Sequence, residues 1–304
     1  VVYSNGYLHK RDYPELFKIE DRIAGVKQYF PDNEQTHKII DKILERIRSY
    51  NGRMPFVKIS DFNTTGMSYE NGITNTPFYA FLHAEGLHVN DNNNSGGSFG
   101  AGKDAYFAMS DISSVMCYTL TNDGNHYFQC ASRLCSHKVD GTRYTSKGYY
   151  DNNDTEPIND INNMPTCHFF RKDEAGSGSD IFILGMHLDD ENARKEIIRA
   201  VLQNFWMAVY DGKLEVKVNG NDHIPNVDIN KSNLKSLMRK TFDNKIDKST
   251  DNNPERYNPR PYFEAYSTIT ENSSDYDKEK YSYYESDETQ YPTLGTMKLY
   301  LLKD

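Results

Sequence analysis

Four things are scarce in this chain of 304 residues: positive charge, long apolar runs, clustered cysteines and tryptophan. Lys and Arg number 35 against 44 Asp and Glu, a net charge of -9, which argues against a broadly basic nucleic-acid surface. The locally basic stretch Lys231, Lys235, Arg239, Lys240, Lys245 and Lys248 reads as a solvated face before it reads as a DNA patch. No run of 18 apolar residues exists, so no membrane-spanning helix is expected. The four cysteines, Cys117, Cys130, Cys135 and Cys167, never form the close pair of a zinc site. They read as buried reduced thiols, and the expected location is cytoplasmic. His83 and His88 have the wrong offset for two ligands on one helical face, so no metal is assigned to them. With one Trp and 37% hydrophobic residues, the chain is rich instead in Asn, Asp and Tyr, a composition that favours long polar loops.

Two short segments carry the chemistry. Asp61-Phe-Asn-Thr-Thr-Gly66 places a carboxylate at the end of the apolar run Phe56–Ile59, followed by small polar residues and a glycine. Gly97-Ser-Phe-Gly-Ala-Gly-Lys103 is a glycine-rich loop closed by a cation. Glycines supply positive φ angles and close backbone access to phosphate oxygens. Together the segments describe a pocket with a purine at one end and a polyphosphate at the other. Gly97 to Lys103 also spells G-x-x-x-x-G-K, the spacing of a P-loop. That reading fails twice. Asp104 stands where a magnesium-binding Ser or Thr belongs, and the Asn-rich stretch 90–96 ahead of the loop is no buried strand.

The pair of segments resembles the GHKL ATPases, the superfamily built on the Bergerat ATP-binding fold. Its members include the gyrase B subunit, the ninety-kilodalton heat-shock chaperone, histidine kinases, mismatch-repair ATPases and MORC proteins. The wording of both boxes is most similar to prokaryotic MORC-like members. The resemblance implies that Asp61 accepts a hydrogen bond from the adenine amino group and that Gly66 lets the base approach. It implies a flexible lid, G-x-x-G-x-G, at Gly97, Gly100 and Gly102. Gly178-Ser179 before Ile181–Leu184 resembles the family's later Gly-Thr before a closing strand. The nucleotide-binding residues so implied are Asp61, Asn63, Thr65, Gly66, Gly97, Ser98, Phe99, Gly100, Ala101, Gly102, Lys103 and Ser179. Two departures stand out. Asn63 and Thr65 occupy positions where the family usually has glycine. The Asn-bearing helix that chelates Mg2+ in the family does not precede Asp61; the chain opens on Val1 without methionine, and that helix is expected ahead of it. The magnesium ligand and the catalytic Glu therefore stay unassigned.

Helical periodicity predicts a helix over 34–50, with Ile39, Ile40, Ile43, Leu44 and Ile47 inward and Asn51-Gly52 ending it. Thr76-Pro77 predicts a helix start, and 104–110 a short helix facing the phosphates. Val115–Leu120 and Tyr127–Cys130 around Asp123-Gly124 predict a hairpin. Thr166–Arg171 and Asp180–Leu184 predict another strand pair. The stripe Ile197, Ile198, Val201, Leu202, Phe205, Trp206 and Val209 predicts a helix over 191–210. Leu214–Val218 and Leu294–Leu302 predict strands, Asn230–Met238 a helix, and 249–292 extended loops.

The expected fold is α+β. A Bergerat-type sandwich, a mixed sheet with helices on one face, would fill residues 1–187, and a smaller transducer-like α/β domain 188–304. The resemblance implies an ATP-binding protein that hydrolyses ATP slowly with Mg2+, its lid closure driving homodimerisation. It would switch a partner or a nucleic-acid-related activity, with prokaryotic antiviral defence as the implied setting. The other reading is a nucleotide-gated scaffold that binds ATP without turnover.

Overall fold

The computed structural model describes residues 1–84, 101–151, 155–165, 170–186, 191–221, 223–242, 257–270, 282–285, 289–291, 295–297 and 300–303. Groups of helices and groups of strands follow one another along the chain in an α+β arrangement, which divides into two compact units: Val1–Glu191 with Asn219–Pro225, and the remainder.

The first unit is built on strands β1 (Val2–His9), β2 (Arg53–Ser60), β3 (Ser114–Leu120), β4 (His126–Arg133), β7 (Lys147–Tyr150) and β8 (Gly178–Leu184). They lie in the order β1-β2-β8-β3-β4-β7, and every adjacent pair is antiparallel. Strands β5 (His137–Val139) and β6 (Thr142–Tyr144) form a small separate ribbon. The β3–β4 hairpin forms as expected, turning at Gly124 with φ of 78°. β3 is buried along its whole length, so both faces of the sheet are covered.

The helices divide between those faces. On one, α1 (Pro14–Phe17), α2 (Ile19–Tyr29) and α3 (Glu34–Ser49) bury Phe17, Ile23, Val26, Ile40, Leu44 and Ile47 against Phe56, Met116, Tyr118 and Phe182. On the other, α4 (Pro77–Leu82) and α5 (Ala101–Met109) bury Phe78, Leu82 and Phe107 against Val115, Cys117 and Ala131. α3 begins where the Asn33 side chain accepts from the Thr36 N–H at 2.9 Å, and it ends at Asn51 and Gly52, both left-handed. Ile39 is 54% exposed rather than inward; the residue next to Ile40 is turned 100° from it around the helix axis. Residues 1–33 gave no pattern in the sequence, yet β1, α1 and α2 lie there. Cys117 and Cys130 are buried free thiols; Cys135 is exposed, correcting its expected burial. Cys167 lies outside the described residues.

In the second unit, α6 (Glu191–Tyr210) packs on α8 (Arg260–Thr270). Trp206 meets the rings of Phe263 and Tyr266 edge-on at 5.8 and 5.7 Å, and Tyr210 meets the same two at 6.1 and 5.5 Å. This helix stands where loops were expected. Its aromatic residues look like loop composition until Trp206 gives them a surface to cover, and the Arg260–Glu264 pair at 2.9 Å supports its first turn. Phe205, counted in the α6 stripe, is 52% exposed. β9 (Val216–Val218) and β10 (Val227–Ile229) form a hairpin, followed by α7 (Leu234–Thr241). In the basic stretch, Arg239 pairs with Glu264 at 3.4 Å and Lys231 lies over the Tyr210 ring at 5.4 Å. Lys245 and Lys248 lie outside the described residues. Near the end, β11 (Ser282–Glu285) pairs with β14 (Tyr300–Lys303), and β12 (Thr289–Tyr291) with β13 (Gly295–Met297). The single strand expected over 294–302 is thus two short ones. Among the described residues no helix is long and apolar enough to cross a membrane.

Candidate functional site

The sheet register brings Asp61 and Ser179 side by side. β2 pairs with β8 through Ser60 opposite Asp180, and the Asp61 N–H extends the ladder to the Ser179 carbonyl at 3.0 Å. Asp61 Oδ1 accepts from the Ser179 N–H at 2.5 Å and from the Thr64 hydroxyl at 3.0 Å. Oδ2 has no hydrogen-bond partner among the described residues, and the side chain is 39% exposed. One carboxylate oxygen is thus fixed by the protein while the other remains an open acceptor.

The loop after Asp61 folds back on β3. Asn63 is left-handed at φ 59°, a conformation Asn tolerates. Gly66 has φ of 72°, and a Cβ there would sit 2.4 Å from the Leu120 carbonyl oxygen, so the close approach requires glycine. The Thr65 carbonyl accepts from the Asn122 N–H at 3.1 Å. Thr119, fully buried on β3, ties the pieces together: its hydroxyl accepts from the Met67 N–H at 2.8 Å and lies 3.0 Å from the Ser179 hydroxyl. The contiguous loop that holds Asp61, Asn63, Thr65 and Gly66 therefore meets Ser179, more than 110 residues away in sequence, at one end of the sheet.

The face above this point is apolar and phenolic. Burial pushes the Tyr106 phenol on α5 above its usual range, with Tyr3, Cys117 and Asp61 adding repulsion. Burial likewise raises Tyr3, and it drives the Cys117 thiol well up, helped by Asp180 and Asp61. Tyr106 and Cys117 both lie close enough to Asp61 to interact with it electrostatically.

Beneath Asp61 lies a cluster that no sequence pattern announced. Arg171 is buried and pairs with the buried Asp180 at 3.1 Å. Its Nη2 also donates to the carbonyls of Asp61 and of Ser179, the latter at 3.0 Å, and Nη1 donates to Gly176 at 3.2 Å. The Arg171 N–H donates to the other Asp180 oxygen at 2.8 Å. Arg171 was expected to end a strand; it sits in irregular backbone, and 166–169 lie outside the described residues. The one available signal was a carboxylate opening the apolar run Ile181–Leu184.

Of the expected lid, Gly97, Ser98, Phe99 and Gly100 lie outside the described residues. Ala101, Gly102 and Lys103 form the first turn of α5, which starts three residues earlier than expected. That turn leaves N–H groups without intrahelical partners at the positive end of the helix dipole. Lys103 is buried, and its Nζ donates to the carbonyls of Ala80, at 2.6 Å, and Ala84. It caps the C-terminal end of α4, which also speaks against a P-loop role. Lys103→Met is expected to lower the unfolding free energy by about 1–3 kcal/mol, measured by urea denaturation. A lysine serving only phosphate would instead leave stability unchanged. Asp104 pairs with Arg133 at 2.5 Å. His83, at the end of α4, bonds Gln129 at 2.7 Å and stacks between Tyr79 and Tyr149; burial lowers its pKa. His88 lies outside the described residues.

No protein-family model matches the sequence, and no curated protein matches it. Among solved structures the chain is similar to the 43K ATPase domain of Thermus thermophilus gyrase B in complex with an aminocoumarin, at 11% identity and a TM-score of 0.28. The match covers 76% of this chain and 53% of that one, so the chain spans about half the length of the structure it matches. An overlap this low assigns no role to any residue here.

Proposed function

We propose that the first unit is a GHKL-type, Bergerat-fold ATP-binding module and that the chain hydrolyses ATP slowly. The observation that carries the reading is the Asp61 carboxylate, with Oδ1 fixed by Ser179 and Thr64 and Oδ2 left as an exposed acceptor at a strand end. An adenine amino group is the donor such an acceptor suits. Gly66 lets the loop after Asp61 press onto Leu120 at this end of the sheet, and the first turn of α5 offers N–H groups to phosphate. In this reading ATP binding brings two protomers together and switches a partner or a nucleic-acid-related activity, as in MORC-like defence proteins. Among the described residues no group of three or more His, Cys, Asp or Glu could hold a metal ion.

Asp61→Asn is expected to weaken ATP binding about 10- to 150-fold by calorimetry, the worth of a hydrogen bond to a charged group. GTP is expected to bind far more weakly than ATP, because its ring oxygen would face the carboxylate. Equal affinity of the variant and the parent, or equal affinity for ATP and GTP, would overturn the adenine role. Phosphate release that disappears with Asp61→Asn supports the hydrolase; binding without release supports the nucleotide-gated scaffold.

A further inference from the structure

At the other end of the sheet, where β3 begins and β8 ends, a cavity of about 380 Å³ opens between α1–α2 and strands β4 to β7. That volume falls within the range of small-molecule sites. Ile19, Ile112, Leu134 and Leu184 give it an apolar side. Two polar groups on its wall have unmet capacity. The Arg22 guanidinium carbon lies over the Tyr144 ring, 3.9 Å from the centroid, and makes no hydrogen bond or ion pair among the described residues. His137 is 4% exposed and stacks on the same ring at 5.3 Å. Its Nδ1 lies 3.1 Å from the Cys135 carbonyl, while Nε2 is buried with no hydrogen-bond partner among the described residues. A carbonyl can only accept, so Nδ1 carries the proton, and in the neutral ring Nε2 is a lone-pair acceptor in search of a donor.

We infer that this cavity is a binding site for a small hydroxylated aromatic carboxylate. The carboxylate pairs with the planar fork of Arg22, the ring rests on the aliphatic side, and the hydroxyl donates to His137 Nε2. Arg22 and His137 share Tyr144 as a common ring partner, which places both beside the same wall of the cavity. Of the other cations on the wall, Lys18 is paired with Glu15 at 2.5 Å and Lys147 also has an interaction of its own. The inference is independent of the nucleotide reading.

The test uses 4-hydroxyphenylacetate titrated into the full chain carrying labelled Ile and Leu methyl groups, followed by NMR. Saturable shifts at Ile19, Ile112, Leu134 and Leu184, with a midpoint near or below about 1 mM, are expected. Methyls on the Asp61 face, such as Ile59, are expected to stay still. Phenylacetate lacks the hydroxyl and 4-hydroxyphenylacetamide lacks the charge; each is expected to bind about tenfold more weakly or worse. Arg22→Met is expected to weaken the acid by a similar factor and to leave the amide unaffected. Absence of saturable shifts up to about 10 mM overturns the proposal. So does an amide that binds as well as the acid. The two truncated probes act on unaltered protein, so the outcome does not depend on the variant folding.

Discussion

Arg171→Met is expected to lower the unfolding free energy by about 3–5 kcal/mol, the usual cost of leaving one member of a buried ion pair unpaired. Asp180 would keep the Arg171 backbone N–H as a donor but lose the one cation it pairs with among the described residues, at zero exposure. The carbonyls of Asp61 and Ser179 would lose a shared donor in the same step. The double change Arg171→Met with Asp180→Leu is expected to recover part of the loss, because an apolar pair of similar volume removes the stranded charge. It should not recover all of it, since the two carbonyls remain without the guanidinium. Urea denaturation of both variants checks this. A single-variant loss below about 1 kcal/mol would mean that the cluster is not the clamp that holds the ends of β2 and β8.

The second large effect is expected from Gly66→Ala. Its φ of 72° costs a non-glycine residue about 1–2 kcal/mol. The new Cβ would meet the Leu120 oxygen at 2.4 Å, the Leu120 carbon at 2.9 Å and the Thr119 hydroxyl at 3.0 Å. Two of those atoms are backbone in the central strand, so the loop must lift, adding about 1–3 kcal/mol. Gly72→Ala is the matched control: it has φ of 75° and nothing within 4 Å. It should show only the conformational term, so the difference in stability between the two variants measures the close approach. If Gly66 shapes the adenine end of the pocket, ATP affinity should fall at least tenfold in Gly66→Ala and hold in Gly72→Ala. Equal stability losses would show that the contact with Leu120 is soft.

Much of this architecture was legible because its signals are local. The hairpin around Gly124, the helix ending at Asn51-Gly52 and the long helix over 191–210 each follow from periodicity and turn chemistry within a few residues. Asp61 drew notice as a carboxylate closing an apolar run. The failures share a cause as well. Ile39 and Phe205 belong to apolar stripes by spacing, but the stripes are wider than the surfaces they cover. α8 was hidden because its tyrosines and phenylalanine look like loop composition without Trp206 beside them. Lys103 matched a phosphate-binding spacing while its side chain caps a helix 19 to 23 residues away.

The amino-acid order alone determined which segments alternate, which coil and where glycine must break them, because those preferences act between neighbours on the chain. Only the folded sheet decided that Arg171 lies under Asp61 across 110 residues, and that Thr119 joins Met67 to Ser179. A guanidinium is driven to whatever carboxylate and carbonyls the register leaves buried without donors. That register is set by packing on both faces of β3, a quantity no stretch of sequence contains by itself.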